Sequence, residues 1–434
     1  MLCLNSREAN TDNEIGCFEL YRKLLPESFF QEINEPGKRG GIFSVALVAW
    51  IMIWQRLYRN ASMSEAMLRV ATGRWTELSG ASFRVKRGRV SESTGGFSLA
   101  RSKLLLASTE KIFDKLYEGL QAQASEDPQE FGVDGTTIIL ASTNSIIEQY
   151  PPAMNQFGAA KNGILHMVVA HHLDLGYAVR PAYGAFFGDK ISTEAQLCAE
   201  LLPRLPQGAT LVGDRNFGIF VSCYAMQING NGIIVRLTDS RAKKIAGKAI
   251  YDGLDQQVQW RMSKTERKKY ETIPRDSVIR GRVVCRRVYP KTGPSFLLII
   301  FTSLTKPVEQ IIATYGKRWN IELDLRTLKQ TVNMENLRAK APDTVAKELL
   351  MGIAAYNLIR ALMVHCTTLD EGKTRRYSFT KLLNVVKLFM PDLADAKTTT
   401  ERGKILQKLL HFAKRATLPN RKRGSNSAAA SNTS

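Results

Sequence analysis

Apolar residues recur at helical spacing over the first part of the chain, which predicts a helical region over residues 1–125. The longest mostly apolar run covers residues 42–54. At about 13 residues it is too short to span a bilayer, so we expect a buried helix there and no membrane span. The helices predicted in this region cover residues 20–33, 45–58, 65–71 and 98–108.

The pattern changes after residue 130, where short apolar runs replace the helical periodicity. Two helices are predicted among these runs, at residues 194–202 and 217–227. Asp174 and Gly176 lie in a turn predicted between the second and third runs. The order β-β-β-α-β-α-β predicts an α/β (α+β) fold, in which helices pack against a mixed sheet. The five predicted strands are residues 131–140, 164–170, 177–182, 209–214 and 232–237.

The last part of the chain returns to helices after two more strands. Residues 278–289 alternate between apolar and polar, and residues 295–304 form an apolar run that predicts a buried strand. Residues 345–364 form an amphipathic helix, and further helices follow to about Lys414. The tail from Leu418 is polar and basic, and we predict it to be disordered.

One stretch, residues 315–329, combines charges in an unusual way. As a helix at about 100° per residue it brings Tyr315, Arg318, Glu322 and Lys329 onto one face. This face is either an ordinary set of i,i+4 charge pairs or a site that holds a metal ion and DNA phosphates. The opposite, solvated face is predicted to carry Lys317, Asn320, Asp324 and Thr327, and the side chains predicted to pack are Trp319, Leu323 and Leu325.

Charge narrows the class of partner. The 434 residues carry a formal net charge of +21 and have a pI near 9.7, so a polyanion is the expected partner, with nucleic acid before membrane. Residues 236–291 hold 16 Lys and Arg against 6 Asp and Glu, a net charge of +10. We interpret this segment as a surface for the DNA backbone. The helical region before residue 125 either recognises DNA ends or serves as a scaffold.

Cysteine and histidine offer no metal motif. The six cysteines are scattered singly, without a Cys-x-x-Cys pair, which indicates neither a zinc site nor a disulfide framework and fits a reducing cytosol. His171 and His172 point to opposite faces of a strand, so they cannot bind one metal ion there. Together with His166, they are interpreted as core or turn histidines.

Three acids remain as candidates for chemistry. Asp134 lies on the first predicted strand, Asp214 ends the fourth, and Glu322 lies on the helix over residues 315–329. If the two strands are neighbours, the aspartates converge at one edge of the sheet. Carboxylate oxygens are the ligands that Mg²⁺ prefers, and two such ions can catalyse phosphoryl transfer.

The sequences around these acids carry a resemblance to a known family. VDGT at Asp134, GDRNFG at Asp214 and the spacing Tyr-x2-Arg-x3-Glu-x6-Lys from Tyr315 to Lys329 resemble the insertion-sequence-4 family of DDE transposases. The resemblance runs from about Phe131 to Met363.

The resemblance implies a ribonuclease-H-like catalytic domain in which Asp134, Asp214 and Glu322 hold two Mg²⁺ or Mn²⁺ ions. It implies that Tyr315, Arg318 and Lys329 grip DNA phosphates, and that Arg236 lies beside a flipped base. The expected domains are an N-terminal helical region (1–125), the catalytic core (126–235 and 295–335), a basic β-rich insertion (236–294), a C-terminal helical region (336–417) and a basic tail (418–434).

One position departs from the family pattern. Members that form a DNA hairpin carry a tryptophan before the helix with the glutamate, and Leu298 stands at that position here. Phe296 lies on the same strand face and either stacks on the flipped base or belongs to the core. Trp260 is the other aromatic that could take this role.

We therefore expect a cut-and-paste transposase of the bacterial cytosol. It would act as a dimer on double-stranded DNA, both the inverted-repeat ends and the target. Two alternatives stay open: a metal-dependent nuclease without strand transfer, and an inactive DNA-binding derivative of the same fold.

Overall fold

The computed structural model describes residues 16–33, 41–79, 83–122, 129–156, 158–290, 293–370 and 373–419. The tail predicted to be disordered lies outside these ranges, except for Leu418 and Pro419. The chain divides into two compact units. The larger covers residues 17–361, and the smaller combines residues 1–16 with residues 362–434.

The larger unit begins with helices, as predicted. Ser44 starts the buried helix α3 by accepting a hydrogen bond from the Leu47 amide at 3.1 Å. The single helix predicted over residues 20–33 is two helices, because Pro26 disfavours helical backbone at Leu25. The helices are α1 (Cys17–Leu24), α2 (Glu27–Ile33), α3 (Val45–Leu57), α4 (Met63–Ala71), α5 (Phe83–Lys86), α6 (Thr94–Lys103) and α7 (Leu106–Ala122).

An eight-stranded mixed sheet follows, and its order is β5-β4-β1-β6-β7-β10-β9-β8. Strands β1, β6 and β7 are parallel, β4 runs antiparallel to β1, and β5 runs antiparallel to β4. This is the predicted mixed α/β arrangement, with the ribonuclease-H-like order in its first five strands. These strands are β1 (Glu130–Ile139), β4 (Ile164–His172), β5 (Ala182–Ala185), β6 (Thr210–Gly213) and β7 (Gly232–Arg236), and a separate small hairpin contains β2 (Met154–Asn155) and β3 (Gly158–Ala159).

The third predicted strand, at residues 177–182, is wrong in position. The strand that pairs with β4 is β5, which begins at Ala182. The backbone amide and carbonyl of Ala178 are instead bound by the Asn357 side chain, each at 2.8 Å. A single bridge, from His171 to Ala178, continues the ladder within this described stretch. Gly176 adopts a φ of +83° in the turn, where glycine is favoured.

Helices connect the strands and cover the sheet. Helix α9 packs against β4 and β5, and α10 packs against β7 and β9. The predicted strands and helices from residue 194 to residue 237 are confirmed to within three residues. These helices are α8 (Asn144–Gln149), α9 (Glu194–Leu201) and α10 (Phe220–Ile228).

The basic segment after β7 extends the same sheet. Strand β10 (Phe296–Thr302) pairs antiparallel with β7 on one side and with β9 (Val278–Val288) on the other, and β8 (Asp255–Arg261) forms the edge. Two helices, α11 (Asp239–Ala246) and α12 (Lys264–Lys269), lie in the connections. The segment is therefore built onto the central sheet through β10.

The helix predicted over residues 315–329 is broken. Helix α13 (Val308–Gly316) ends, α14 (Trp319–Arg326) begins, and residues 327–331 form a π-helical turn. The break is fixed from outside, because the Lys317 ammonium donates to Asp174 at 2.7 Å and to Glu130 at 3.4 Å.

Helix α15 (Pro342–Asp370) begins in the larger unit and ends in the smaller one. Residues 342–368 are long and apolar enough to cross a membrane, but 94% of the most apolar stretch is buried within the protein, as in the core helix of a soluble protein. The smaller unit also contains α16 (Phe379–Asp395) and α17 (Thr399–Lys414), which pack on each other.

Candidate active site

Asp134 lies on β1, and Asp214 directly follows the neighbouring parallel strand β6. Gly132 pairs with Val212, so each aspartate comes two residues after a paired position. One carboxylate oxygen of Asp134 accepts from the Gly135 amide at 2.8 Å, and one of Asp214 accepts from the Asn216 amide at 2.8 Å. The condition for convergence, that these strands are neighbours, is met.

The surroundings of Asp134 disfavour its negative charge. Burial raises the pKa of Asp134 to about 6, and the charges of Asp214 and Glu194 act in the same direction. The Gly135 amide and the Arg318 guanidinium oppose this rise in pKa. A site that brings carboxylates together at such a cost is suited to a cation.

Glu322 approaches from helix α14, which packs on β1. The contact requires a glycine on the strand, because a Cβ atom at Gly132 would lie 1.9 Å from Cδ1 of Ile321. The Glu322 carboxylate accepts a hydrogen bond from Arg318 at 2.8 Å, and it is partly buried. Arg318 is thus bonded to Glu322 while its charge reaches Asp134.

As these side chains are placed, no group of three or more His, Cys, Asp and Glu residues within the described ranges could hold a metal ion. The structure brings Asp134 and Asp214 together, and it leaves Glu322 with Arg318.

Tyr315 and Lys329 complete the predicted set. Tyr315 is buried in the last turn of α13, and burial raises the pKa of its phenol, whereas the charges of Arg318 and Arg236 lower it. The Lys329 ammonium donates to the Thr136 hydroxyl at 3.3 Å, two residues beyond Asp134 on the same face of β1. Arg318, Glu322 and Lys329 therefore all lie toward the strand that carries Asp134.

The predicted solvated face of this region is wrong. Asp324 is fully buried and forms an ion pair with Arg360 of α15. Asn320 donates to the Leu173 carbonyl at 3.1 Å, and Lys317 is held by Glu130 and Asp174. Conversely, two of the side chains predicted to pack are exposed, Trp319 by 63% and Leu323 by 45%, whereas Leu325 is buried. The prediction fails because this side of the region also packs, against α15 at Asp324 and against the Leu173–Asp174 turn at Asn320 and Lys317.

Arg236 and Phe296 lie together on one face of the extended sheet. Arg236 of β7 pairs with Ile300 of β10, and its guanidinium lies 5.5 Å from the centre of the Phe296 ring. Phe296 is 39% exposed, so the alternative that it belongs to the core is wrong. Trp260 is buried with its ring against Phe220 and Phe301, which removes it as an aromatic for DNA.

The histidines are buried in the sheet. His166 and His171 are 6% and 0% exposed, and Nδ1 of His166 lies 2.8 Å from the Ser192 carbonyl oxygen. His172, 2% exposed, contacts Phe131. Their interpretation as core residues is confirmed.

A groove and a glutamate beside the aspartates were not foreseen from the sequence. The groove has a volume of about 1280 Å³, and it runs from Asp214 and Glu194 to Lys268 and Lys269 of α12. Glu194 opens helix α9, behind a capping box formed by Thr193 and Gln196. That capping pattern was the only sequence signal at this position, and it indicates a helix start rather than a site.

Comparison with known proteins shows the family of the chain. Residues 129–358, more than half of the chain, match the family model described as the transposase DDE domain. The chain is also 32% identical over 116 residues to "Transposase InsG for insertion sequence element IS4" of Escherichia coli (strain K12). That alignment covers 25% of this chain and 25% of the relative.

A cryo-EM structure of the piggyBac transposase synaptic complex with hairpin DNA is similar over 97% of this chain and 88% of that one. Its sequence identity is 10% and its TM-score 0.45, too low to support any argument about the site. The family match does not depend on that structure, because it covers the strands with both aspartates and the helix with Glu322. On that match, the chain belongs to the DDE transposases, a family of phosphoryl-transfer enzymes.

Proposed function

We propose that this protein cleaves DNA at transposon ends and joins the freed 3′ ends to target DNA. The observation that carries the proposal is the placement of Asp134 on β1 and of Asp214 directly after the neighbouring parallel strand, facing a helix with Arg318, Glu322 and Lys329. In this arrangement Asp134 and Asp214 can hold cations, and Arg318 and Lys329 can hold phosphates.

Divalent ions fit the acidic side of the site. Mg²⁺ is commonly held by one or two carboxylates together with water and substrate phosphates, and Asp134 and Asp214 supply two carboxylates within electrostatic reach. Glu322 would supply the third once Arg318 is drawn to a DNA phosphate. Bound there, two Mg²⁺ or Mn²⁺ ions would stabilise the attacking and leaving oxygens of an in-line displacement.

The basic side would position the strand to be cut. Arg318 can bind a phosphate through two parallel hydrogen bonds, and Lys329 adds a point charge from the π-helical turn after α14. Arg236 lies against the Phe296 ring and its charge reaches Tyr315, so Arg236 and Phe296 would contact DNA beside the site. Two copies of the chain would act on a pair of ends, as a dimer in the DNA complex.

The proposed reaction is two displacements at phosphorus. In the first, a water molecule loses a proton as its oxygen bonds to phosphorus, the bond from phosphorus to the 3′ oxygen breaks, and that oxygen takes up a proton. In the second, the freed 3′-OH loses its proton and bonds to a phosphorus of the opposite strand or the target, whose own 3′ oxygen leaves. Positioning and charge stabilisation suffice for both steps, without a covalent enzyme intermediate.

The test uses duplex DNA that carries an inverted-repeat end of the element. Asp134→Asn, Asp214→Asn and Glu322→Gln should each abolish cleavage and strand transfer in Mg²⁺, while the mobility shift of the DNA persists. Exposed acids outside the site, changed as Asp189→Asn and Glu335→Gln, are the matched controls and should retain both activities.

Two outcomes would contradict the proposal. Cleavage without any strand transfer by the unmodified protein would make it a nuclease. Cleavage that survives in one of the three site variants would remove that residue from the active site.

A further inference from the structure

The Glu194 carboxylate lies directly against the strand that carries Asp134. A Cβ atom added at Gly135 would lie 2.2 Å from Oε1 of Glu194 and 3.0 Å from its Cδ. Any side chain at residue 135 would therefore displace this carboxylate. Glycine immediately after Asp134 leaves the space that Glu194 fills, on the side of β1 opposite the Asp134 Cβ, because successive residues of a strand face opposite sides.

Helix α9 holds Glu194 in this position. The Thr193 hydroxyl accepts from the Gln196 amide at 3.3 Å, and the Gln196 side chain accepts from the Thr193 amide at 2.9 Å. This capping box fixes the first turn of the helix, and Glu194 is its first residue. The side chain is thus delivered by a rigid element rather than by a loop.

The negative charge of Glu194 interacts with the charges of both aspartates. It raises the pKa of Asp134, and Asp214 in turn raises the pKa of Glu194, after burial as the main cause. Glu194, Asp214 and Asn216 also line the same groove. The carboxylate therefore faces a space that solvent and substrate can enter.

We propose that Glu194 is an additional carboxylate of the divalent-ion site, acting from outside the two aspartates through its charge and through water held by the ion. This inference rests on the proposed function of the site. Mg²⁺ and Mn²⁺ keep several waters, so a carboxylate beyond direct contact can still hold and orient the ion. Glu194 is a positioning residue in this role.

A simpler role would be to stabilise the start of α9, because an acid in the first turn interacts favourably with the helix dipole. That role predicts a small loss of stability and no change in metal binding. Metal affinity therefore separates the two roles without any measurement of catalysis.

The experiment titrates Mn²⁺ into the full chain, with free Mn²⁺ measured by electron paramagnetic resonance. Glu194→Gln should weaken Mn²⁺ binding about tenfold, the low end of the 10–100-fold range for partners outside the direct ligands. Asp134→Asn is the positive control and should weaken binding at least as much. Glu200→Gln, an exposed acid on the same helix, should bind like the unmodified chain.

Thermal melting with and without Mn²⁺ gives a second readout. A ligand that binds only the folded state raises the melting temperature, so Glu194→Gln should lose most of this rise while melting normally in EDTA. If the variant also melts early in EDTA, Glu194→Asp, which keeps the charge, must restore Mn²⁺ affinity for the inference to stand.

The outcomes distinguish this inference from the proposed function. If Asp134→Asn weakens Mn²⁺ binding and Glu194→Gln matches Glu200→Gln, Glu194 only caps its helix and the inference is overturned. If the unmodified chain and Asp134→Asn bind Mn²⁺ equally, the proposed ion site itself is overturned, and the role of Glu194 with it.

Discussion

At the scale of single residues, the ionised carboxylate of Asp134 lowers the stability of the folded chain. Its folded pKa of about 6 lies above the ordinary value of 3.8, so the folded chain binds the proton more tightly than the unfolded chain. The contribution of this group to stability is therefore fully present below pH 3.8 and is lost as the pH rises through about 6. The acid that the chemistry requires destabilises the metal-free fold at neutral pH.

The first prediction follows from the upward direction of this pKa shift. Without divalent ions, Asp134→Asn should be more stable than the unmodified chain at pH 7.5 by about 1–2 kcal/mol, a figure reduced from the full shift because the carboxylate is partly exposed. The difference should vanish near pH 4, where Asp134 is protonated. Urea unfolding in EDTA at both pH values measures it, and a difference that does not change with pH would contradict the prediction.

A second prediction at this scale concerns Phe296. Forming a DNA hairpin requires a base to leave the stack, and an aromatic side chain can offset about 1–3 kcal/mol of that cost. Phe296→Leu should leave first-strand nicking intact while hairpin product falls about tenfold or more, as a loss of roughly 1.4 kcal/mol implies. Gel analysis of cleaved end DNA gives both products.

A matched control for Phe296 lies in the basic segment that precedes it. Tyr251 is also an exposed aromatic, 54% exposed, with the Lys248 ammonium 6.0 Å from its ring centre. Tyr251→Leu should change neither product. Normal amounts of nicked and hairpin DNA from Phe296→Leu would remove the stacking role from this residue.

At the scale of elements, helix α14 carries two acids in different settings. Asp324 is buried with Arg360, whereas Glu322 is partly exposed with Arg318. Removing one partner of a buried ion pair leaves an unpaired charge and costs about 3–5 kcal/mol. Partly exposed pairs contribute about 1 kcal/mol or less.

The third prediction compares these two acids directly. Asp324→Asn should lower the free energy of unfolding by about 3 kcal/mol or more, and Glu322→Gln should change it by less than about 1 kcal/mol. Activity should depend on the other acid, because Glu322→Gln should abolish cleavage while the protein stays stable. Equal losses of stability in the two variants would mean that α14 is anchored elsewhere.

The helices and strands also show how much of the fold could be predicted from the sequence alone. Short apolar runs bounded by turn residues predicted β1, β6, β7 and β10. The break after Gly316 could not be predicted from local pattern, since it depends on Glu130 and Asp174, distant residues that bind Lys317. Glu194 was missed for the same reason, because the closeness of α9 to Gly135 arises only from packing.

At the scale of the whole molecule, part of the excess positive charge lies on helix α12, beside the groove at the candidate site. Arg267, Lys268 and Lys269 are exposed on α12, and the two lysines line the groove that begins at Asp214. Phosphates bound along this groove would release counterions, so binding should depend steeply on salt.

The fourth prediction neutralises these three side chains together by substitution with Gln. The slope of log K against log salt should flatten by up to about one unit for each DNA phosphate that the variant no longer binds, measured by fluorescence anisotropy with duplex DNA. The control neutralises Lys397, Lys404 and Lys408, which lie in the smaller unit, and should leave the slope nearly unchanged. An unchanged slope in the α12 variant would mean that this basic run does not contact DNA.

The position of β10 between β7 and β9 has a consequence for biosynthesis. Val235 pairs with Phe301, more than sixty residues later, so β7 stays an unpaired edge while the intervening segment emerges from the ribosome. Such long-range pairing is slow and leaves the edge open to mispairing. Helix α14, with Glu322, is made later still. If the protein cuts DNA as proposed, a nascent chain would not cut the DNA that encodes it until most of its length has been synthesised and the sheet has closed.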